Sequence, residues 1–381
     1  MYIHNNFCIS QISVSLNQGS VLETYCEFCY VFKIFMHKKE TIIVGAGIAG
    51  LSLAWELFQR NKSFVIYNHQ NNLPSASLVA AGTWNPLNFK RLVQTWEINL
   101  FLDTMEKFYA QMETFLNIKC FYPIAVKKIL SNAEEVKFWN EMKSKPESGG
   151  FIDENFGEFN NETTATIKRT GKVDMHNLFL AFKNWLLQEN CWIEEAFDYD
   201  ELKALDDVWR YKNILEVNHV IFADGVHVKN NPFFNFIDLK PANGDVLTVK
   251  IPDLKIDYIL KKNIFISPIG NDLYHVGATY NWDNLVWEKS DDARLFLESK
   301  LKQIIPYDFE VVGQVAGVRP ASRDRRPIIG EHPTLKNLWC YNGLGAKGLL
   351  LAPQISKWLL DKMFNNQNFP EDIDIKRYYP K

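Results

Sequence analysis

The chain has 381 residues, of which 47% are hydrophobic, and this is enough apolar material for a sizeable core and two or three domains. Its formal net charge is −3, so no bulk basic field attracts it to nucleic acid or to an anionic membrane. The sequence contains no uncharged apolar run of about 18 residues, which argues against a membrane span.

The first 36 residues show no sustained helical or strand period, and they lack the pattern of a secretory signal. We expect this segment to be a disordered or artificial extension, with translation able to start at Met36. It contains Cys26 and Cys29, which have the spacing of half a zinc site but no second pair nearby, so we expect no metal. The scattered spacing of the six cysteines is typical of reduced thiols and favours a cytoplasmic protein.

A strand, a turn, a helix and a second strand follow this segment. Residues 41–44 are all β-branched and predict a buried strand, residues 46–60 predict a helix, and residues 63–67 predict the second strand. The turn between the first strand and the helix consists of Gly45, Ala46, Gly47, Ile48, Ala49 and Gly50. This spacing at this place in a βαβ unit indicates a binding site for the pyrophosphate of a dinucleotide. A glycine turn that serves only helix packing is the alternative.

Each glycine of this turn has its own expected role. Gly45 permits the tight turn, Gly47 lets a pyrophosphate approach the backbone, and Gly50 lets the helix pack near the strand. The start of the helix offers unpaired N–H groups and a positive dipole to phosphates. Asn68 ends the second strand, where an NAD site carries an acid for the ribose hydroxyls. We therefore expect Asn68 to contact the cofactor, while the missing acid argues against NAD.

The rest of the chain alternates between helical and strand patterns. Helices are predicted at residues 91–116, 173–188, 291–304 and 349–364. Strands are predicted at residues 192–197, 217–223 and 338–341, with several short ones between residues 240 and 278. Loops are predicted at residues 74–90 and 143–165. Parallel βα units at both ends of the chain, with antiparallel strands between them, indicate an α/β protein.

A second glycine-rich segment occupies residues 342–348, close to the other end of the chain. The residues that we expect to contact the cofactor there are Gly343, Gly345, Ala346, Lys347 and Gly348. The glycines allow close backbone approach, and the helix that follows directs its positive end at the cofactor. Such an end favours a flavin ring, which carries negative charge when it is reduced. The two segments together indicate a flavin enzyme.

Several further motifs resemble the FAD-dependent D-amino-acid oxidase superfamily, which includes glycine oxidase and sarcosine oxidase-like enzymes. They are the small-residue run at 75–82, the segments 171–174 and 276–279, Gly317-Val318-Arg319-Pro320, then Asp324, Pro327 and Gly330, and finally residues 351–353. The resemblance extends over residues 40–365. It implies that the run at 75–82 passes close to FAD, with contacts from Ser75, Ser77, Ala81 and Gly82. It also implies non-covalent FAD, because residues 313–330 contain no counterpart of the tethering cysteine of sarcosine oxidase-like enzymes.

The resemblance implies a Rossmann-like, doubly wound FAD-binding domain and an α+β substrate domain with an antiparallel sheet. We expect the FAD-binding domain to consist of residues 37–90, 165–240 and 313–378. We expect the substrate domain to consist of residues 91–164 and 241–312.

Arg319 and Lys347 are the expected catalytic residues. In the superfamily the arginine that matches Arg319 pairs with the substrate carboxylate, for which a planar fork of donors is well suited. An ion pair with Asp324 or another acid is the alternative for Arg319, and a solvated loop position is the alternative for Lys347. Phe265 and Asn263 replace a tyrosine and a histidine of glycine oxidase, and Thr83 begins a segment that contacts substrate in relatives.

Other polar residues are assigned no role in the chemistry. His219, His227 and His275 fall on predicted strands and are expected to be core or surface residues. Lys261 and Lys262 are expected to form a solvated turn.

The predicted function is FAD-dependent oxidation of the C–N bond of a small amine or amino acid by hydride transfer, without nucleic acid or membrane partners. One alternative is an oxidase that acts on a carboxymethylamino group of tRNA wobble uridine, since such an enzyme belongs to the same superfamily. The other is a non-catalytic flavoprotein.

Overall fold

The molecule contains two kinds of strands. Some are short runs of buried β-branched residues, and others are longer and alternate between buried and exposed residues. The computed structural model describes residues 37–69, 75–148, 150–282 and 287–380. The expected N-terminal extension, with Cys26 and Cys29, lies outside the described residues. The strands are β1 His37–Val44, β2 Phe64–Tyr67, β3 Thr83–Trp84, β4 Phe121–Pro123, β5 Val126–Ile129, β6 Ile152–Phe159, β7 Glu162–Ile167, β8 Gly171–Val173, β9 Trp192–Ile193, β10 Leu202–Leu205, β11 Val208–Tyr211, β12 Leu215–Phe222, β13 Ala242–Lys250, β14 Ile259–Lys261, β15 Phe265–Gly270, β16 Leu273–Gly277, β17 Glu310–Arg319, β18 Ile328–Glu331 and β19 Leu338–Asn342.

The helices cover the sheets and join them. The α-helices are α1 Ile48–Gln59, α2 Ala76–Val79, α3 Ile98–Leu116, α4 Ala133–Met142, α5 Met175–Gln188, α6 Asp291–Lys302 and α7 Gly348–Asn365. Short 3₁₀ helices lie at Tyr199–Glu201, Gly225–Asn230, Gly345–Lys347, Glu371–Ile373 and Ile375–Tyr378. None of the described helices combines the length and the apolar content that crossing a bilayer requires.

The first sheet has a parallel centre. Its strand order is β10-β11-β12-β1-β2-β9, while β19 pairs with the end of β12 and with β18. β1 runs parallel to both β2 and β12, and Ile42 and Ile43 on β1 are fully buried. Such continuous β-branched burial is what a parallel sheet covered on both faces requires. The carboxyl ends of β1, β12 and β19 therefore point to the same edge.

The second sheet has the order β17-β13-β16-β15-β14-β5-β7-β6 and is antiparallel except where β14 pairs with β5. A small sheet of β3, β8 and β4 lies apart from the two large ones. β17 crosses the expected boundary between residues 312 and 313 and pairs with β13 along its length. The division into two domains stays a prediction.

The loop predicted at residues 143–165 is wrong, because β6 and β7 form an antiparallel hairpin there. Asn160 and Asn161 connect the two strands and both have positive φ, 50° and 63°. Two left-handed residues are what a tight two-residue hairpin turn requires, and asparagine tolerates this conformation well.

Two helices begin later than their apolar patterns predict. The helix expected from residue 91 begins at Ile98, because Leu92 and Glu97 have φ values of 52° and 51° and interrupt the helical path. The helix expected from residue 173 begins at Met175, because Val173 belongs to β8 and Asp174 caps the helix by accepting a bond from the Asn177 N–H at 3.0 Å. The strand expected at 192–197 is limited to β9.

Candidate active site

A cavity of about 1230 Å³ lies between the edge of the first sheet and one face of the second sheet. The ends of β1, β12 and β19 supply Val44, Ala223 and Asn342 to its lining, and the second sheet supplies Gly244 and Phe265. Ligands of open parallel sheets bind outside the carboxyl ends of the strands, which is where this cavity lies. Its volume exceeds the range of about 300–1,000 Å³ that is typical of pockets for small ligands.

The cavity collects most of the site residues that the sequence predicts. Those that line it are Gly45, Ala46, Gly47, Ile48, Ala49, Asn68, Ser75, Ser77, Ala81, Gly82, Arg319, Gly345, Ala346, Lys347 and Gly348. Gly50 and Gly343 do not line it. Both segments of glycine-rich backbone thus face one common space, although almost 300 positions separate them in the chain.

The first glycine segment shows the local geometry that its spacing predicts. Gly45 has a φ of 99°, and a Cβ there would lie 2.6 Å from the carbonyl oxygen of Ala223. A Cβ on Gly50 would overlap the carbonyl oxygen of Gly45, so Gly50 holds the helix close to the turn. A Cβ on Gly47 would meet only the Ser77 hydroxyl oxygen, at 3.4 Å. Protein packing therefore fixes the residue type at Gly45 and Gly50, whereas Gly47 is open toward the cavity.

Side chains from the neighbouring segments hold this turn in place. Asn68 accepts a hydrogen bond from the Ala46 N–H through Oδ1, and Ser77 accepts one from the Ile48 N–H through Oγ, both at 3.0 Å. Ser75 precedes the short helix α2, and its buried hydroxyl has no hydrogen-bond partner among the described residues. A buried hydroxyl without a protein partner in a cavity wall is a group that a polar ligand can satisfy.

The second glycine segment brings a second helix start to the cavity. Gly343 and Gly345 have φ values of 73° and 54°, and α7 begins directly afterwards at Gly348. A Cβ on Gly348 would lie 2.9 Å from the Cγ2 atom of Ile48, so the starts of α7 and α1 are in contact. Two helices of 18 and 12 residues thus direct the positive ends of their dipoles at one place.

Arg319 ends β17 and lines the cavity. Its Nη1 atom donates to the Asn243 carbonyl oxygen at 3.2 Å, and its guanidinium lies 4.2 Å from the centre of the Tyr280 ring. Asp324, the alternative partner, instead forms an ion pair with Arg377 at 3.0 Å. Within the described ranges Arg319 forms no salt bridge, and burial lowers its pKa. The alternative that Arg319 pairs with Asp324 is therefore wrong.

Lys347 is a second cation in the cavity wall. Its Nζ atom donates to the hydroxyl oxygen of Thr95, and burial lowers its pKa to about 8. No carboxylate of the described chain forms an ion pair with it. The alternative of a solvated loop lysine does not fit this environment.

The expectation of a solvated turn at Lys261 and Lys262 is wrong. Lys261 is the last residue of β14 and lines the cavity, and burial lowers its pKa to about 8. Lys262 does not line the cavity and forms an ion pair with Glu162 at 2.7 Å. The sequence gives no signal that separates the two lysines, because only the start and the facing of β14 decide which of them lines the cavity.

Asp224 also lines the cavity, although no sequence motif singles it out. It follows β12, and its carboxylate accepts bonds from the side-chain amides of Asn231 at 2.9 Å and Asn342 at 3.3 Å. Burial raises its pKa to about 6. The position directly after a central parallel strand is the signal that could have identified it.

Residues of the expected substrate end also line the cavity. Phe265, Asn263 and Thr83 are all in its wall. His227 lines it as well, but on a 3₁₀ helix rather than on the expected strand, with its ring stacked on Trp287 at 5.5 Å. His219 and His275 lie on β12 and β16 and do not reach the cavity.

Fold and cavity together define a dinucleotide-binding α/β protein, and comparisons with known proteins agree. A tRNA 5-methylaminomethyl-2-thiouridine biosynthesis bifunctional protein from Campylobacter jejuni subsp. doylei is 25% identical over 303 residues, 78% of this chain and 46% of that protein. Glycine oxidase from Bacillus subtilis is 30% identical over 171 residues, 42% of this chain and 43% of that protein. The crystal structure of an iminodiacetate oxidase from Chelativorans sp. has a TM-score of 0.71 at 17% identity, covering 90% of this chain and 99% of that one.

The family follows from a match over most of the chain. The family described as FAD dependent oxidoreductase matches residues 40–362, so the chain belongs to this family and FAD is its cofactor. The resemblance to the D-amino-acid oxidase superfamily is thereby confirmed. The chain spans about half the length of the curated tRNA-modifying relatives that it matches, with shares of 46% and 55%.

Proposed function

We propose that this chain oxidises the C–N bond of a small amine or amino acid and passes the electrons to non-covalently bound FAD. The observation that carries the proposal is Arg319, a half-buried guanidinium that forms no salt bridge in the described chain, in the same cavity as two glycine-rich helix starts. A guanidinium in such a place binds a carboxylate through two parallel donors.

The residues present fit FAD in this orientation. The turn at residues 45–50, with Ser75 and Ser77, would hold the pyrophosphate, and Asn68 would face a ribose. The segment at 343–348 would hold the ring end beside Lys347. The cysteines of the described chain, Cys120, Cys191 and Cys340, are free and none lines the cavity, which supports non-covalent binding. Bound FAD would supply a hydride acceptor.

The protein's own groups would position and prepare the substrate. Arg319 would bind its carboxylate, while the second sheet would exclude water from the reacting C–H bond. Cations nearby disfavour the ammonium form of the substrate amine, because like charges repel in a site of low dielectric constant. The amine would therefore be neutral, as loss of a hydride from the neighbouring carbon requires. Water would then hydrolyse the imine to a carbonyl compound and an amine.

The relatives' names support this substrate class. Two of the proteins compared above are named for glycine and for iminodiacetate, each an amine that carries a carboxymethyl group. The proposal is tested by mixing the FAD-loaded protein anaerobically with glycine, sarcosine, proline and D-amino acids and recording the bleaching of the flavin. At least one of these compounds is expected to reduce it. If none does, this proposal is wrong, and either a tRNA substrate or a non-catalytic flavoprotein takes its place.

Arg319→Ala tests the residue that carries the proposal. We expect this variant to retain its FAD, because Arg319 lies on the second sheet, and to lose turnover by at least about 100-fold, as expected when a charged hydrogen-bond partner is removed. Flavin absorbance measures the first property, and steady-state kinetics with the best substrate measures the second. A variant that turns over this substrate normally would show that the carboxylate binds elsewhere.

A tRNA substrate is the second candidate, and the alignment with the tRNA-modifying relative over 78% of this chain favours it. In this case the carboxymethylamino group of a wobble uridine would enter the cavity with its carboxylate on Arg319. Anaerobic flavin reduction by tRNA that carries this group, compared with an unmodified transcript, tests the candidate. Reduction by the modified tRNA and by none of the small amines would replace the first proposal.

A further inference from the structure

Lys128, Lys261 and Lys262 lie close together on the second sheet and in the turn after β14, and of these three only Lys261 lacks an acidic partner. Lys128 on β5 donates to Glu135 at 2.8 Å and to the Ile129 carbonyl oxygen. Lys262 forms an ion pair with Glu162. Lys261 is the register partner of Lys128 on the adjacent strand, yet it has no ion pair in the described chain. Glu135 and Glu162, the acids nearest to these lysines, thus already pair with Lys128 and Lys262.

Lys261 lines the cavity on the same face of the second sheet as the residues that we expect to contact the substrate. A row of register partners runs across the sheet from Lys261 to Phe265, Gly277 and Val246. A Cβ on Gly277 would lie 3.0 Å from the Cζ atom of Phe265, so the phenyl ring covers the middle of this row. Lys261, Phe265 and Val246 all line the cavity.

Arg319 lies at the other end of the same sheet face. Its guanidinium is packed against Gly244, two residues from Val246 on β13, where any Cβ would overlap it. Lys261 and Val246 are separated by three strand spacings, which corresponds to roughly 14 Å between their Cα atoms. An apolar floor with Phe265 at its centre therefore separates two cations.

The charge pattern of the cavity makes an external anion the natural partner of Lys261. Among the described residues, the acids that line the cavity are Glu195 and Asp224, and both belong to the first-sheet side. Glu195 binds Lys212, and Asp224 is held by two asparagines. An ammonium that is partly removed from water without a counter-ion is unfavourable, and a bound anion relieves this cost.

We propose that Lys261 binds a second anionic group of the substrate, so that the substrate is an amine with two acidic groups at opposite ends. The inference rests on the proposed function, in which Arg319 binds the first carboxylate. Phe265 packs against the apolar chain between the two acidic groups. Lys261 acts in specificity and positioning and takes no part in the oxidation itself.

Binding of inert acids to the FAD-loaded protein tests the inference without turnover. The probes are succinate, glutarate, adipate and pimelate, each compared by calorimetry and flavin absorbance with the monocarboxylate of equal chain length. The best dicarboxylate is expected to bind at least about 10-fold more tightly than its monocarboxylate, the effect of one charged hydrogen bond. Lys261→Met is expected to reduce this ratio to less than about twofold and to leave monocarboxylate binding unchanged.

Lys262→Met is the matched control, because it removes an adjacent lysine that does not line the cavity and that pairs with Glu162. It is expected to keep the full preference for dicarboxylates, and Lys261→Arg is expected to keep most of it. Lys261→Gln provides a second uncharged variant if the methionine variant folds poorly.

The outcomes separate this inference from the proposed function. If monocarboxylates bind in a way that depends on Arg319 but dicarboxylates gain nothing, or the gain survives in Lys261→Met, the inference is wrong and the proposed function stands. If no carboxylate binding depends on Arg319, both are wrong. If Lys261→Met weakens binding of tRNA while dicarboxylates gain nothing, the anion is a nucleotide phosphate and the small-diacid inference is wrong.

Discussion

The two walls of the cavity contribute different kinds of groups. The helix-end wall, residues 45–50 and 343–348, presents backbone and helix starts, and glycine geometry determines its shape. The sheet wall, formed by Lys261, Phe265 and Arg319, presents charged and aromatic side chains. A wall built from backbone suits a cofactor that every member of a family binds. In a wall built from side chains, single substitutions can change the substrate specificity.

The first prediction separates packing from ligand approach within the helix-end wall. Gly50→Ala places a Cβ against the Gly45 carbonyl oxygen, so we expect the apoprotein to lose about 3 kcal/mol of stability and to bind FAD poorly. In Gly47→Ala the added Cβ meets only the Ser77 hydroxyl, so the apoprotein should melt at the wild-type temperature. Its affinity for FAD should nevertheless be lower than that of the wild type, because the Cβ blocks the approach of the pyrophosphate to the backbone. Thermal melting of the apoproteins and FAD titration measure the two effects.

Two results for Gly47→Ala and Gly50→Ala would contradict this separation of packing from ligand approach. If Gly47→Ala melts as low as Gly50→Ala, the protein itself requires glycine at both positions. If Gly47→Ala binds FAD as the wild type does, no phosphate approaches the backbone there, and the assignment of the helix-end wall fails.

The second prediction concerns the pH dependence of the two cavity lysines, Lys347 in the helix-end wall and Lys261 in the sheet wall. Burial lowers the pKa of both Lys347 and Lys261 to about 8. Both are therefore cationic below pH 8 and lose their charge as the pH rises through 8. An anion binds the cationic form, so the affinity of the FAD-loaded protein for propionate should change little between about pH 6.5 and 7.5 and should fall by up to about tenfold per pH unit above 8.

Lys347→Met tests which lysine is responsible for this fall. Because the single carboxylate of propionate would bind Arg319 and leave Lys261 unengaged, Lys347 is the nearby titrating cation, so we expect the pH dependence to become nearly flat in Lys347→Met and to persist in Lys262→Met. Calorimetric titrations between about pH 6.5 and 9.5 would measure it. An affinity that rises with pH would contradict the predicted sign, and an unchanged fall in Lys347→Met would exclude Lys347 from anion binding.

The sequence predicts the helix-end wall well because the relevant information is local. A β-branched strand, a glycine turn and an apolar helix follow one another within residues 41–60, and each has a short-range signal. The sheet wall depends instead on which face each strand presents. Lys261 and Lys262 are identical in sequence terms, and a shift of one residue in β14 would exchange them.

The hairpin of β6 and β7 shows the same limit for the fold. Residues 152–159 are mostly charged or exposed, with burial only at Ile152 and Phe159, so the alternation that indicates a strand is hidden. Only pairing with β7, and through β7 with β5, makes this segment a strand. Tertiary pairing of this kind has no signal within the segment itself.

The third prediction, with the smallest expected effect, concerns Asn68. This residue adjoins the helix-end wall, but it acts through its side chain, which holds the backbone of the glycine turn. Asn68→Ala removes the bond from the Ala46 N–H, and we expect FAD to bind about fivefold more weakly, the effect of one neutral hydrogen bond. Asn68→Asp keeps the acceptor and should bind FAD within about twofold of the wild type. Fluorescence titration of the apoproteins measures both affinities. A loss beyond about 100-fold in Asn68→Ala would mean that this side chain, rather than the glycine backbone, determines binding at the helix-end wall.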